Sequence, residues 1–176
     1  MEYNEKTVRS EKIFDGHVIK LRVDTVVLPN GKEATRELIE HPGGVAVLPV
    51  DSNNMVYLVR QYRKPVEKSL LEAPAGKLTP GEDHYVCGVR ELKEETGFEA
   101  GEITYLGYAI PAPGYTNEII HLYLARDLRA GEQTPDEDEF VDVEKYSFDD
   151  VVRMCINGEI SDAKTVIAVM RAKDVI

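Results

Sequence analysis

The chain has 176 residues, 43% of them hydrophobic and 30% charged, with a formal net charge of −11; that is enough apolar material for one domain, or one domain with an appended substructure. Acidity of this kind disfavours nonspecific binding to nucleic acid or anionic membrane, so a phosphate-bearing ligand would need local arginines or a metal to reverse the sign at its site. Two cysteines, Cys87 and Cys155, are too few for a disulfide framework and point to a reducing compartment. The polar start and the lack of any apolar run of membrane-span length predict a cytoplasmic protein.

Ile13 to Leu28 reads as a strand, rich in Val and Leu, and Pro29-Asn30-Gly31-Lys32 as a hairpin turn into a partner strand over Ala34–Glu40. His41-Pro42-Gly43-Gly44 breaks the pattern and marks a boundary. Residues 1–40 therefore form a small antiparallel substructure, too poor in strands and apolar surface to be stable alone. It must pack on its own body or on a second copy. Gly44–Val50 and Met55–Gln61 are further strands, and a loop holding Pro65, Pro74 and Gly76 leads to a helix over about Asp83–Thr96. Gly97 follows as its C-cap. Strands at Ile103–Ile110, Ile119–Ala125 and Phe140–Tyr146 come next. Two helices close the chain, Phe148–Ile156 capped by Ser147 and Asp162–Lys173 capped by Ser161. The order of elements predicts an α+β fold with a mixed sheet.

The most informative stretch is GKLTPGEDHYVCGVRELKEETGF, from Gly76 to Phe98. Glu91, Glu94 and Glu95 stand at i, i+3 and i+4 on a helix, where like charges repel by roughly 0.2–0.5 kcal/mol per pair. A divalent cation would offset that repulsion, and Mg²⁺ prefers carboxylate oxygens. At 100° per residue, Tyr85, Val89, Leu92 and Thr96 form one stripe with the glutamates opposite, an arrangement that by itself also fits a solvated acidic face. The flanks decide: Gly76, Glu82 and the string Arg90-Glu91-Leu92-Lys93-Glu94-Glu95-Thr96-Gly97-Phe98 fill every fixed slot of the Nudix hydrolase box. The chain thus resembles the Nudix hydrolases, and the resemblance implies an α/β/α sandwich that cleaves nucleoside diphosphate derivatives.

Pro113, in Ala112-Pro113-Gly114-Tyr115-Thr116-Asn117-Glu118, stands sixteen residues after Gly97, the position that marks the ADP-ribose pyrophosphatase branch. The segments Arg36–Gly43, Gln61–Pro65 and Asp136–Val141 also resemble that branch, so the likeness runs from the Phe14 region to Asp162-Ala163-Lys164-Thr165. It implies Mg²⁺, with Mn²⁺ as substitute, held by the Ala75 carbonyl, Glu91 and Glu95, with Glu94 as a further ligand or a contact to metal-bound water. Arg90 would orient the glutamates. Glu82 is either a bound carboxylate or an acidic residue favouring the helix N-terminus. Gly76 and Gly97 have backbone roles. The base comes from Asp136-Glu137-Asp138-Glu139, with Glu137 the first choice and Glu139 the second. Arg36 and Arg63 are the cations suited to the diphosphate, because arginine binds phosphate through two donors at once. Glu37 and Glu118 are implied acceptors for adenine or ribose. Cys87 reads as a packing residue and His84 as a surface one.

The resemblance further implies a homodimer whose N-terminal strands, residues 1–40, reach a second subunit, leaving 41–176 as the hydrolase domain. The expected reaction is hydrolysis of ADP-ribose to AMP and ribose 5-phosphate. A nucleoside diphosphate-sugar such as GDP-mannose is the rival substrate. A non-catalytic sensor of ADP-ribose is the reading from another class, weakened here because all box glutamates are kept.

Overall fold

The computed structural model describes residues 3–135 and 139–176. They divide into two compact units, one of residues up to 43 with Ile110–Ile119, the other of Gly44–Ala109 with Ile120–Ile176.

The first unit is a three-stranded antiparallel sheet in the order β1 (Lys6–Asp15), β2 (Lys20–Val27), β3 (Glu33–Glu40). The single strand expected over Ile13–Leu28 is in fact the end of β1, a turn in which Gly16 N–H donates to the Ile19 carbonyl (2.9 Å), and β2. Most of β1 escaped the sequence reading because KTVRSEKIFD carries charge without alternation. All ten of its residues are exposed. The β2–β3 turn is also longer than a two-residue hairpin. Pro29 and Asn30 sit at the centre of a turn in which Gly31 N–H donates to Leu28 O (2.8 Å), and only Gly31 has a positive φ. Proline favours the second position of such a turn, and glycine the left-handed residue after it. Ile110–Ile119 joins the free edge of β3: Ile39 N–H donates to Tyr115 O (2.7 Å), and His41 N–H to Asn117 Oδ1 (2.9 Å). Pro113 thus lies in a segment laid along this sheet. With Arg22, Ile39, Glu40, Thr116 and Asn117 it lines a small cavity of about 190 Å³.

The second unit holds two sheets and three helices. One sheet has the order β7 (Ala75–Lys77), β4 (Gly44–Pro49), β9 (Ile120–Ala130), β8 (Phe98–Ala109), with β4 and β9 parallel and the other pairs antiparallel. The second sheet, β10 (Val141–Ser147), β5 (Met55–Arg63), β6 (Lys68–Glu72), is wholly antiparallel. The short strands β6 and β7 were expected as loop, since SLLEAPAGK has Pro and Gly but no alternation. Strand β4 is buried at every position. Val45 and Val47 pack with Cys87, Leu92 and Tyr123 beneath α1 (His84–Thr96), while Ala46 and Leu48 belong to a larger core with Leu58, Leu122, Val151 and Val169. That larger core is closed by α2 (Phe148–Asn157) and α3 (Ala163–Ala172). Period-two alternation along one strand therefore separates two helical layers. The layered α+β architecture expected from the sequence is the one observed.

Each helix begins on a side-chain cap. Asp83 Oδ1 accepts from Tyr85 and Val86 N–H (2.9 and 3.3 Å), and Ser147 Oγ from Asp150 N–H (3.1 Å). The third helix differs from expectation: Asp162, not Ser161, is the cap, its Oδ2 accepting from Thr165 N–H (3.0 Å). Replacing Asp83 with Ala should cost about 1 kcal/mol, the usual worth of an N-cap, whereas Asn should keep most of it. Urea unfolding midpoints of the two variants check this; equal midpoints would mean the cap contributes nothing.

Candidate active site

The side of α1 that faces the protein is not the stripe expected from its sequence. Tyr85 and Val89 are 48% and 41% exposed, and the buried positions are Cys87, Gly88, Glu91, Leu92 and Glu95. Cys87 and Leu92 pack on Val45 and Val47, and Gly88 leaves no side chain between helix and strand. This close approach carries Glu91 (7% exposed) and Glu95 (1%) inward. The acidic run is therefore not a solvated face.

Two features receive those carboxylates. Glu91 lies directly over the Gly76 Cα, so that a Cβ there would sit 1.9 Å from its carboxyl carbon; only glycine permits that approach. Glu95 Oε2 accepts from Ala75 N–H (3.1 Å). The neighbouring backbone is held from other elements too, Ala73 N–H donating to Thr165 Oγ1 (2.7 Å) and Val47 N–H to the Pro74 carbonyl (2.9 Å). Three bonds from α3, β4 and α1 thus fix residues 73–75, which include Ala75, the expected carbonyl ligand.

Positive charge is scarce here. Arg90 Nη1 contacts both Glu91 Oε1 (2.7 Å) and Glu94 Oε2 (2.8 Å), and its Nε reaches Glu82 Oε1 (3.2 Å). Glu82 lies just before the helix and also accepts from the Thr79 N–H and hydroxyl, both at 3.0 Å. The Thr79 N–H and then Arg90 hold its carboxyl down at about 2. Burial pushes Glu91 up against the pull of Arg90. Glu95 is pushed up to about 8, chiefly by burial and next by the Glu139 carboxylate. Buried carboxylates with too few cations are a donor set of hard oxygens that suits a divalent cation. Among the described residues, no three acidic, imidazole or thiol groups already converge as a finished cation cage.

Glu139 acts electrostatically on both Glu91 and Glu95, while Glu137 lies outside the described residues. Arg63, on β5, donates from Nε and Nη2 to the two oxygens of buried Glu72, both at 2.8 Å. Arg36, Glu37, Glu118 and Pro113 all belong to the first unit. There Arg36 Nε donates to Glu5 Oε2 (2.9 Å), and Glu118 Oε1 stands 3.4 Å from His41 Nδ1. His84 is not a lone surface histidine. Its ring stacks on His121 at 3.8 Å and bonds the Tyr123 hydroxyl. The Cys87 thiol is buried and pushed up to about 12 by that burial, as befits packing rather than nucleophilic chemistry. Glu72 and its second partner Lys164 were given no role from sequence. The available signal was a single carboxylate in the apolar run Leu70-Leu71-Glu72-Ala73.

Residues 40–168 match the NUDIX domain, and residues 5–39 match the nucleoside diphosphate sugar hydrolase N-terminal domain. The chain is 48% identical over 169 residues to the methanol dehydrogenase activator of Bacillus methanolicus, covering 95% of this chain and 91% of that one. It is 44% identical over 167 residues to the ADP-ribose pyrophosphatase of Bacillus subtilis (strain 168), covering 94% and 90%. A crystal structure of an ADP compounds hydrolase shares the fold with a TM-score of 0.85 at 23% identity, over 97% of this chain and 93% of that one. With the box complete, its glutamates on the inward face of α1 and the domain match spanning most of the chain, this protein belongs to the Nudix family of hydrolases.

Proposed function

We propose that this protein hydrolyses the pyrophosphate bond of ADP-ribose, giving AMP and ribose 5-phosphate, with Mg²⁺ as its metal. The observation that carries the reading is the pair of buried carboxylates, Glu91 and Glu95, set against Gly76 and Ala75, with Arg90 paired to Glu91 and Arg63 acting on Glu95 from β5. The relative named ADP-ribose pyrophosphatase favours this substrate. GDP-mannose and related nucleotide sugars are the competing choice. Assay of a panel of these compounds with product identification decides between them. Among the described residues no helix is long and apolar enough to cross a membrane, and we place the protein in the cytoplasm.

Glu91, Glu95 and the Ala75 carbonyl, with Glu94 beside them, would hold the metal. Bound there, Mg²⁺ supplies neutralisation of the diphosphate and a lowered pKa for water. Arg90 keeps Glu91 and Glu94 in place. Arg63, through the donors that Glu72 leaves free, and Arg36, on release from Glu5, bind diphosphate oxygens. A carboxylate of residues 136–139, Glu137 or else Glu139, takes the proton from the attacking water. The new water–phosphorus bond forms as the bridging P–O bond breaks. Positioning and charge neutralisation dominate such a reaction.

Protonated Glu95 competes with the cation. Divalent-metal affinity measured by calorimetry should therefore strengthen as pH rises toward about 8 and release a proton on binding. In chelator the sign reverses. The folded state keeps a proton that the unfolded carboxyl loses near its ordinary value of 4.5, so stability falls as pH rises from there through about 8. Glu95→Gln should abolish that fall, hold or raise the melting temperature in chelator, and collapse activity, as should Glu91→Gln. Turnover equal to wild type in both variants at saturating Mg²⁺ would refute the metal assignment.

For the base, Glu137→Gln should lower kcat by roughly 10²–10⁴ with little change in KM. If Glu139→Gln behaves so and Glu137→Gln does not, the base is Glu139. Full activity in both variants leaves water activation to the metal alone.

We propose further that residues 1–40 mediate a homodimer and complete the partner's site. The exposed apolar side chains Val8, Ile13 and Phe14, on a strand exposed along its whole length, support this reading. Light scattering should give a dimer mass. Mixing weak Arg36→Ala protein with inactive Glu91→Gln protein should restore partial activity, because one site of each mixed dimer then carries neither lesion. A monomer, or no recovery after demonstrated subunit exchange, overturns the shared site.

A further inference from the structure

Glu72 is almost fully buried, yet it is served by two cations where one would suffice. Arg63 already spans both of its oxygens at 2.8 Å. Lys164, with an 11% exposed side chain, also donates to Glu72 Oε2, while its Nζ lies 3.0 Å from Asp162 Oδ1. Two like charges on one carboxylate repel each other, and burying each costs solvation. Stability alone does not explain the arrangement, since Arg63 by itself satisfies Glu72.

The Asp162 carboxylate is drawn to other work. Its Oδ2 caps α3 through Thr165 N–H and accepts from the Thr165 hydroxyl (2.5 Å), so its charge faces the positive end of that helix. Lys164 is left to carry much of the Glu72 charge. Without it, Arg63 and Glu72 would close into a neutral pair, and a guanidinium so neutralised attracts phosphate weakly. With it, the Glu72 and Asp162 carboxylates are matched by two cations, and Arg63 is less fully neutralised than it would be alone. Among the described residues its Nη1 has no hydrogen-bond partner, and its side chain is 39% exposed.

We infer that Lys164 is a positioning residue for Arg63: by sharing the buried Glu72 carboxylate, it leaves the guanidinium fixed in place yet charged enough to bind substrate diphosphate. This rests on the assignment of Arg63 to the diphosphate made above. The lysine touches no reacting atom. It follows that the importance of Lys164 exists only because Glu72 is negative.

A double-mutant cycle tests this, with KM and kcat measured on ADP-ribose and a nucleotide sugar, and ADP affinity by calorimetry. Lys164→Met should raise KM about tenfold and leave kcat within about threefold, as expected when a ground-state phosphate contact is weakened. Lys164→Arg should stay near wild type. In a Glu72→Gln background, Lys164→Met should add no further loss. A merely structural lysine would show the same loss in both backgrounds, and that outcome overturns the inference, as does an unchanged KM in Lys164→Met. Arg63→Ala separates the two levels. If it leaves KM unchanged on every compound hydrolysed, the assignment of Arg63 fails and the role of Lys164 with it; if it raises KM while the cycle is additive, only the role of Lys164 fails. Should Lys164→Met not fold, Lys164→Gln makes the same comparison, retaining a donor but not the charge.

Discussion

The molecule is organised around the contact of one helix with one stretch of backbone. Helix α1 lies close enough to β4 for Glu91 to rest on the bare Cα of Gly76 and for Glu95 to accept the Ala75 N–H. Burying two carboxylates this way is costly, because neither burial nor mutual repulsion favours their charged forms. Cys87, Leu92 and the packing of Val45 and Val47 supply the apolar gain that draws the helix in. The hydrophobic effect thus sets the distance, and the carboxylates accept the consequence.

The neighbouring charges obey the same constraint. Arg90 sits among Glu82, Glu91 and Glu94 and cannot neutralise all three. Arg63 and Lys164 are paired with Glu72, which immediately precedes residues 73–75. The segment between is held by Thr165, Val47 and Glu95, so the two charged groups are joined through rigid backbone. Rigid support of this kind is what keeps ligand oxygens in place when electrostatics dominates the chemistry.

Much of this was legible in the sequence, and the gaps have physical causes. The box residues fixed the family, and the hairpin, β4, β5 and three helices followed from turn residues, apolar runs and caps. The orientation of α1 was not legible. Hydropathy places Tyr85 and Val89 inward, but packing distance is set by Gly88, whose missing side chain adds nothing to a hydrophobic pattern. The rotated helix buries glutamates instead. Asp162 displaced Ser161 as a cap because its carboxylate also meets Lys164 and Thr165, partners no local pattern contains. Glu72 is the same case: its partners come from β5 and α3, and separation along the chain hides them. Strand β1 stayed unread because its pairing with β2 needs no apolar alternation when all its residues are exposed.

The parallel pairing of β4 with β9 joins Gly44 to Ile120. Strand β4 is buried at every position, yet the neighbour that completes it emerges only after the box helix, β8 and the 110–119 segment have been made. During synthesis it therefore waits with that edge unpaired, and such non-local pairings are slow to form and open to aggregation. The charged surface of the surrounding chain has a use in that interval. Residues 1–119 hold 14 Lys and Arg against 19 Asp and Glu, and that acidic excess, which in the folded protein works against phosphate, disfavours contact between nascent chains until the sheet closes.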